Sequence, residues 1–199
     1  MKRYLILLLA TLLLLTGCNQ GSQGPLTPAD AQKAIAKRAQ EAITAIANKD
    51  MAKLSAMAHP EQGIRFSPYA HVRAGQNEDL LFTAAQIKGL MQEPKQYTWG
   101  VFDGSGAPIQ LTFPLYYDRF IYDLKFAEAP QISYNQPLGK GNTPDNAAEV
   151  YPNAIIVEYH FPQVDPQYQG MDWRSLRLVF QQSGRTWYLV GIIHAQWTI

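Results

Sequence analysis

A single cysteine, Cys18, in a chain of 199 residues excludes an intrachain disulfide, so the fold must hold by its core alone. Charge is sparse and balanced: 17 Lys and Arg stand against 16 Asp and Glu. That balance withholds the basic surface through which nucleic acid or anionic lipid is captured, and nucleic acid is not expected as a partner. There is no phosphate-binding glycine loop, no Ser-His-Asp order and no cysteine nucleophile in the expected domain, so nucleotide use and triad hydrolysis have no motif behind them. A metal at His160 and His194 would need Glu158 or Asp172 as a third ligand, and no short ligand spacing supports one. No metal and no cofactor are expected.

What is present begins with a targeting segment. Lys2 and Arg3 precede an apolar run from Leu5 to Leu15, too short to span a bilayer as a mature helix. Leu15-Thr16-Gly17-Cys18 follows, small residues before a cysteine, in the manner of a lipobox. Residues 1–17 are therefore expected to be a lipoprotein signal peptide, with Cys18 acylated as the new N-terminus. Residues 18–26, rich in Gly, Gln and Ser, read as a tether. Losing Lys2 and Arg3 takes the formal net charge from +1 to −1, so attachment is expected through acyl chains, at roughly 0.8 kcal/mol per buried CH₂. The expected location is extracytoplasmic, lipid-anchored on a cell membrane or outer membrane.

Residues 27–199 read as one α+β domain. Thr27-Pro28-Ala29-Asp30 has the chemistry of a helix start, with Thr27 as cap, and Ile35, Ala39, Ala42, Ile43 and Ile46 recur at helical spacing. A lipid-surface helix is the alternative, but an alanine-rich apolar face is thin for that purpose. Asp50 caps a second helix with Met51, Leu54 and Met57 inward, ending near His59-Pro60, where His59 suits a helix C-terminus better than a ligand. A short strand around Ile64 and Phe66, a capping box at Thr83 and Gln86, and a hairpin from Gln96 to Phe113 follow. Asp103 and Ser105 could open a calcium loop, but its later acidic ligands are missing. Pro114 to Tyr122 reads as an aromatic helix, and the Pro- and Gly-rich remainder up to residue 153 as a long ordered insertion or lid, together spanning about 114–153.

The most regular pattern lies at the end. Ile155, Val157, Tyr159 and Phe161 alternate with Ile156, Glu158 and His160. Trp173–Gln181 and Thr186–Thr198 read as a hairpin turned at Ser183-Gly184. Pairing Gln182 with Arg185 sets Phe180 opposite Trp187 on an apolar face, and Trp173 opposite His194 on a mixed one. On this register Phe180 and Trp187 are core and Trp173 is not, while Glu158, His160, Trp173, Arg177 and His194 share the mixed face, either a solvated exterior or a site. Tyr122 is expected at its rim. A guanidinium, an imidazole and an indole together suit an anionic or polar ligand.

The order helix, helix, strand, helix, two strands, insertion, three strands resembles the nuclear transport factor 2-like superfamily, whose curved sheet wraps around helices and leaves a conical pocket. At the level of words, His59-Pro60, Arg65-Phe66-Ser67-Pro68-Tyr69, Trp99-Gly100, Asp103-Gly104-Ser105-Gly106, Gly170-Met171-Asp172-Trp173 and His194-Ala195-Gln196-Trp197-Thr198-Ile199 resemble a group of uncharacterised bacterial lipoproteins. Ketosteroid isomerase and scytalone dehydratase, enzymes of the superfamily, place an Asp or a His-Asp pair inside the cone; no residue here aligns onto those sites. The resemblance implies a pocket that binds a small ligand or an envelope protein. An isomerase or hydrolase-like enzyme with Glu158 or a histidine as base is the alternative, and glycan contact through the many Tyr and Trp a third. Pairing of Glu158 with Arg177 is expected over service as a base.

Overall fold

In the computed structural model, which describes residues 24–75 and 79–198, an α+β domain is built on a mixed sheet that does not close. The signal peptide at 1–17, Cys18 and residues 19–23 of the tether lie outside the described residues, as does Ile199. Helix α1 (Pro28–Ala47) starts as its sequence dictates, with the Thr27 hydroxyl accepting from the Asp30 amide. Its buried stripe, Ala31, Ile35, Ala39, Ala42, Ile43, Ala45 and Ile46, is narrow in side-chain volume and lets the helix approach the sheet closely. Helix α2 (Met51–Met57) is capped by Asp50 on Lys53 N at 2.9 Å. His59 then caps the turn that follows: its Nδ1 accepts from the amides of Glu61 and Gln62.

Among the described residues eight strands follow in chain order: β1 (Ile64–Ser67), β2 (Leu80–Phe82), β3 (Gln96–Val101), β4 (Pro108–Thr112), β5 (Gln131–Tyr134), β6 (Ile155–Phe161), β7 (Arg174–Ser183) and β8 (Thr186–Gln196). Six make one sheet in the order β2-β1-β8-β7-β6-β5, antiparallel except for β1 beside β8; β3 and β4 pair separately. Between them sit α3 (Ala84–Ile87), a single turn with the expected Thr83/Gln86 capping box, α4 (Phe113–Phe120) and α5 (Ala147–Val150). The segment expected as an insertion is thus partly sheet, because β5 pairs along β6 from Gln131 opposite His160 to Tyr134 opposite Val157.

The face toward α1 carries the main core. Ile155, Val157 and Tyr159 of β6 and Leu176, Leu178 and Phe180 of β7 meet the α1 stripe, as period-2 alternation requires. Beside them Trp99 of β3 stacks on Tyr116 of α4, ring centroids 3.7 Å apart, among Phe66, Phe82 and Phe113. The aromatic helix is therefore core.

The hairpin register differs from the sequence expectation in two ways. The loop is Gly184-Arg185, with Gly184 at φ +60°, so Ser183 pairs Thr186, Gln182 pairs Trp187 and Phe180 pairs Leu189. Beyond that, Val190 is extra on β8, after which Val179 opposes Gly191 and Leu176 opposes His194. A one-residue bulge transfers every later side chain to the other face. His194 consequently lies on the core side, with its ring 5.7 Å from Phe120. Trp187 is half-buried, while Trp173, expected outside the core, is 6% exposed.

Candidate functional site

Alternation puts Glu158, His160, Ser175 and Arg177 on the sheet face away from α1, and direct pairing sets Glu158 opposite Arg177 and His160 opposite Ser175. That face is not solvated. A strap from Gln136 to Asn146 crosses it, joined by the Ala70–Val72 segment, and two small apolar clusters close it: Tyr151, Ala154, Val179, Val190 and Ile193 on one side, Ala70, Trp173 and Ala195 on the other. Arg177 is left 1% exposed, Glu158 2% and His160 5%.

Glu158 is the knot. Its Oε2 accepts from the Leu138 amide at 2.9 Å, and its Oε1 accepts from the Gly139 amide at 3.0 Å and from the Ser175 hydroxyl at 2.6 Å. Arg177 Nε lies 3.2 Å from Oε2. Since Ser175 donates its only proton to the carboxylate, its oxygen accepts from His160 Nδ1 at 2.8 Å, which assigns that tautomer of the imidazole. Burial depresses the His160 pKa below its ordinary 6.5; the Glu158 charge opposes that shift and Arg177 reinforces it. Three donors of the fold thus occupy most of the Glu158 lone pairs, which makes it a poor general base.

Arg177 is paired in distance but poorly in direction. Asp145 Oδ2 lies 2.9 Å from Nη1, yet neither Nη1 nor Nε aims an N–H at its carboxylate neighbour, and only Nη2 donates, to the Gly139 carbonyl at 3.4 Å. Two cavities flank this ion pair and share Pro137, Asp145 and Arg177. One, of about 310 Å³, runs under Ala148, Tyr151 and Ile156 and includes Glu149. Burial pushes the Tyr151 phenol there up to about 12, so it stays neutral. The other, of about 300 Å³, lies between the strap and Trp173, with Lys140, Thr143 and Gln196 on its walls. Trp173 is covered by glycines at close range: a Cβ at Gly139 would stand 2.4 Å from its ring.

The expected site residues are thus divided. Glu158, His160, Arg177 and Trp173 come together, with Trp173 5.8 Å from the His160 ring. His194 belongs to a separate group on the core side, where its Nε2 lies 3.3 Å from Asp123 Oδ1 and its Nδ1 3.3 Å from the Pro68 carbonyl. Burial alone would raise Asp123, but the adjacent His194 ring and the Arg174 guanidinium hold its carboxyl below the usual range. Tyr122 is also on the core side, against Phe126, and accepts from the Ala127 amide. Sequence reasoning missed Asp145, Lys140 and the amides of Leu138 and Gly139, all from a segment without periodicity; the pair Gly139 and Gly141, a close-approach signal, was the one clue. Among the described residues no group of three or more His, Cys, Asp or Glu could hold a metal ion, and no helix is long and apolar enough to cross a membrane.

His160 makes stability pH-dependent in a definite sense. The unfolded chain takes up a proton near 6.5 and the folded protein only below that, so this contribution is complete above 6.5 and is lost as pH falls from there through the folded value. Urea midpoints between pH 7.5 and 5.5 should fall in the wild type and fall less in His160→Gln; equal slopes would mean that the imidazole is solvated in the folded state.

No protein-family model matches the chain, and neither a curated protein nor a solved structure does.

Proposed function

We propose that this is a lipid-anchored envelope domain that binds a small ligand in the strap-covered cavities around Arg177, without chemistry. The observation that carries it is a buried guanidinium with misdirected donors, placed between two ligand-sized cavities, next to a carboxylate held by three hydrogen bonds from the fold. An enzyme would need a base free to take up a proton, whereas Glu158 accepts three hydrogen bonds from the strap and Ser175 beside the Arg177 charge, and His160 is committed through Nδ1 to Ser175. The order of elements and the packing of α1 against the sheet support a nuclear transport factor 2-like fold. On that reading its interior is filled by Trp99, Tyr116 and their neighbours, and the ligand face is the opposite one.

Ligand-observed NMR on the full chain, screened against a mixture of small acids, amines and neutral metabolites, tests the binding reading. Hits should be lost when Ala148→Trp or Thr143→Trp fills one or other cavity while the protein stays folded. Unchanged hits in both variants would move the site elsewhere. For the anchor, Cys18→Ala is expected to shift the protein from the membrane to the soluble fraction, since a near-neutral domain offers no second membrane signal. Retention of the variant in high-salt washed membranes would contradict acylation at Cys18.

A further inference from the structure

Resting on the binding reading above, we infer that the cavity between the strap and Trp173 takes a small organic carboxylate, held by Arg177, the Trp173 indole N–H and Lys140, with Asp145 as its built-in competitor. Two residues that line it, Trp173 and Arg177, each carry a buried donor without an aligned acceptor. Trp173 is 6% exposed and its Nε1 has no hydrogen-bond partner; Arg177, 1% exposed, has none at Nη1. A buried donor without an acceptor costs about 1–3 kcal/mol, so a ligand oxygen that reaches either of them as Asp145 turns away gains what the empty fold forgoes. Lys140, exposed at the cavity wall, makes no ion pair among the described residues, and Thr143 and Gln196 add neutral polar walls.

The charge balance selects the class. Arg177 and Lys140 are matched by Glu158 and Asp145 as the fold stands, so a ligand that displaces Asp145 meets one net positive charge, which suits a monoanion better than a phosphate dianion. The group now nearest Nη1 is itself a carboxylate, Asp145 Oδ2, whose other oxygen accepts from the Ala147 amide at the start of α5. A ligand carboxylate would take the place of Asp145, which is at the surface and can turn to water, or bind beside it against its repulsion. The neighbouring cavity is of opposite character, since Glu149 and Glu158 join Asp145 on its wall against the single cation of Arg177. An organic acid therefore discriminates between the two cavities by charge alone.

The test uses an isosteric series, benzoate, benzamide and benzylammonium, with inorganic phosphate as a fourth probe, titrated into the full chain in detergent micelles. The readout is the indole N–H resonance of Trp173, assigned by its loss in Trp173→Phe. Benzoate should move it downfield and saturably. Asp145→Asn should tighten binding several-fold and Lys140→Glu weaken it several-fold, while Trp173→Phe should weaken it about tenfold, read on the Gly139 amide. Asp145 and Lys140 are at the surface, so these variants keep the fold. Benzamide, benzylammonium or phosphate binding as tightly as benzoate would overturn the carboxylate assignment and leave the binding reading standing. If none of the four perturbs any residue lining either cavity, both inferences fail together.

Discussion

Replacing Glu158 with Leu should destabilise the domain by about 3–5 kcal/mol, because it leaves a buried guanidinium with only the surface carboxylate of Asp145 beside it. The same change takes the acceptor from the Leu138 and Gly139 amides and from the fully buried Ser175 hydroxyl. A double variant, Glu158→Leu with Arg177→Met, removes both charges. It should recover part of the loss, since apolar groups of similar volume replace buried ion pairs at little cost. Urea melts of the two variants decide the matter. A loss below about 1 kcal/mol in the single variant would place the pair in the range of solvated surface bridges.

The second large effect lies in the aromatic core. Trp99→Ala should cost about 3–5 kcal/mol, because Trp99 is fully buried and its removal opens a cavity among rings that cannot collapse into it. It stacks on Tyr116, and its Nε1 donates to the Leu111 carbonyl at 3.0 Å, tying β3 to β4. Trp99→Phe keeps a ring on Tyr116 and loses only part of the volume and that hydrogen bond, so it should cost clearly less. Equal losses would mean that the hydrogen bond and not the packing is decisive. Because this core occupies the face toward α1, Trp99→Ala should weaken ligand binding only through stability.

How much of this could be read in advance follows from the range of each signal. Helix starts at Thr27, Asp50 and Thr83 are local chemistry, a side-chain oxygen placed near a free amide, and all three caps form. The alternation in β6 is equally local and correctly separates Ile155, Val157 and Tyr159 from Glu158 and His160. The hairpin register, however, depends on one extra residue, and composition does not announce a bulge. The only hint is Gly191 within a long apolar strand, where a Cβ would stand 3.1 Å from the Tyr151 hydroxyl and 3.2 Å from Val179. Missing it placed His194 on the wrong face. Strands β2 and β5 escaped because three or four residues carry too little period to register. Whether the mixed face was exterior or buried was a question of what covers it, and the cover is a strap with no pattern of its own, positioned by backbone amides on a distant carboxylate.

That strap is the center of the account, and hydrogen exchange at the Leu138 and Gly139 amides tests it most directly. If Glu158 holds the strap against the sheet, both amides should exchange slowly in the wild type and approach the rate of an open loop in Glu158→Gln, with the β7 and β8 amides still protected. Fast exchange of both amides in the wild type would mean that the strap does not rest on Glu158, and the ligand-sized cavities around Arg177 would go with it.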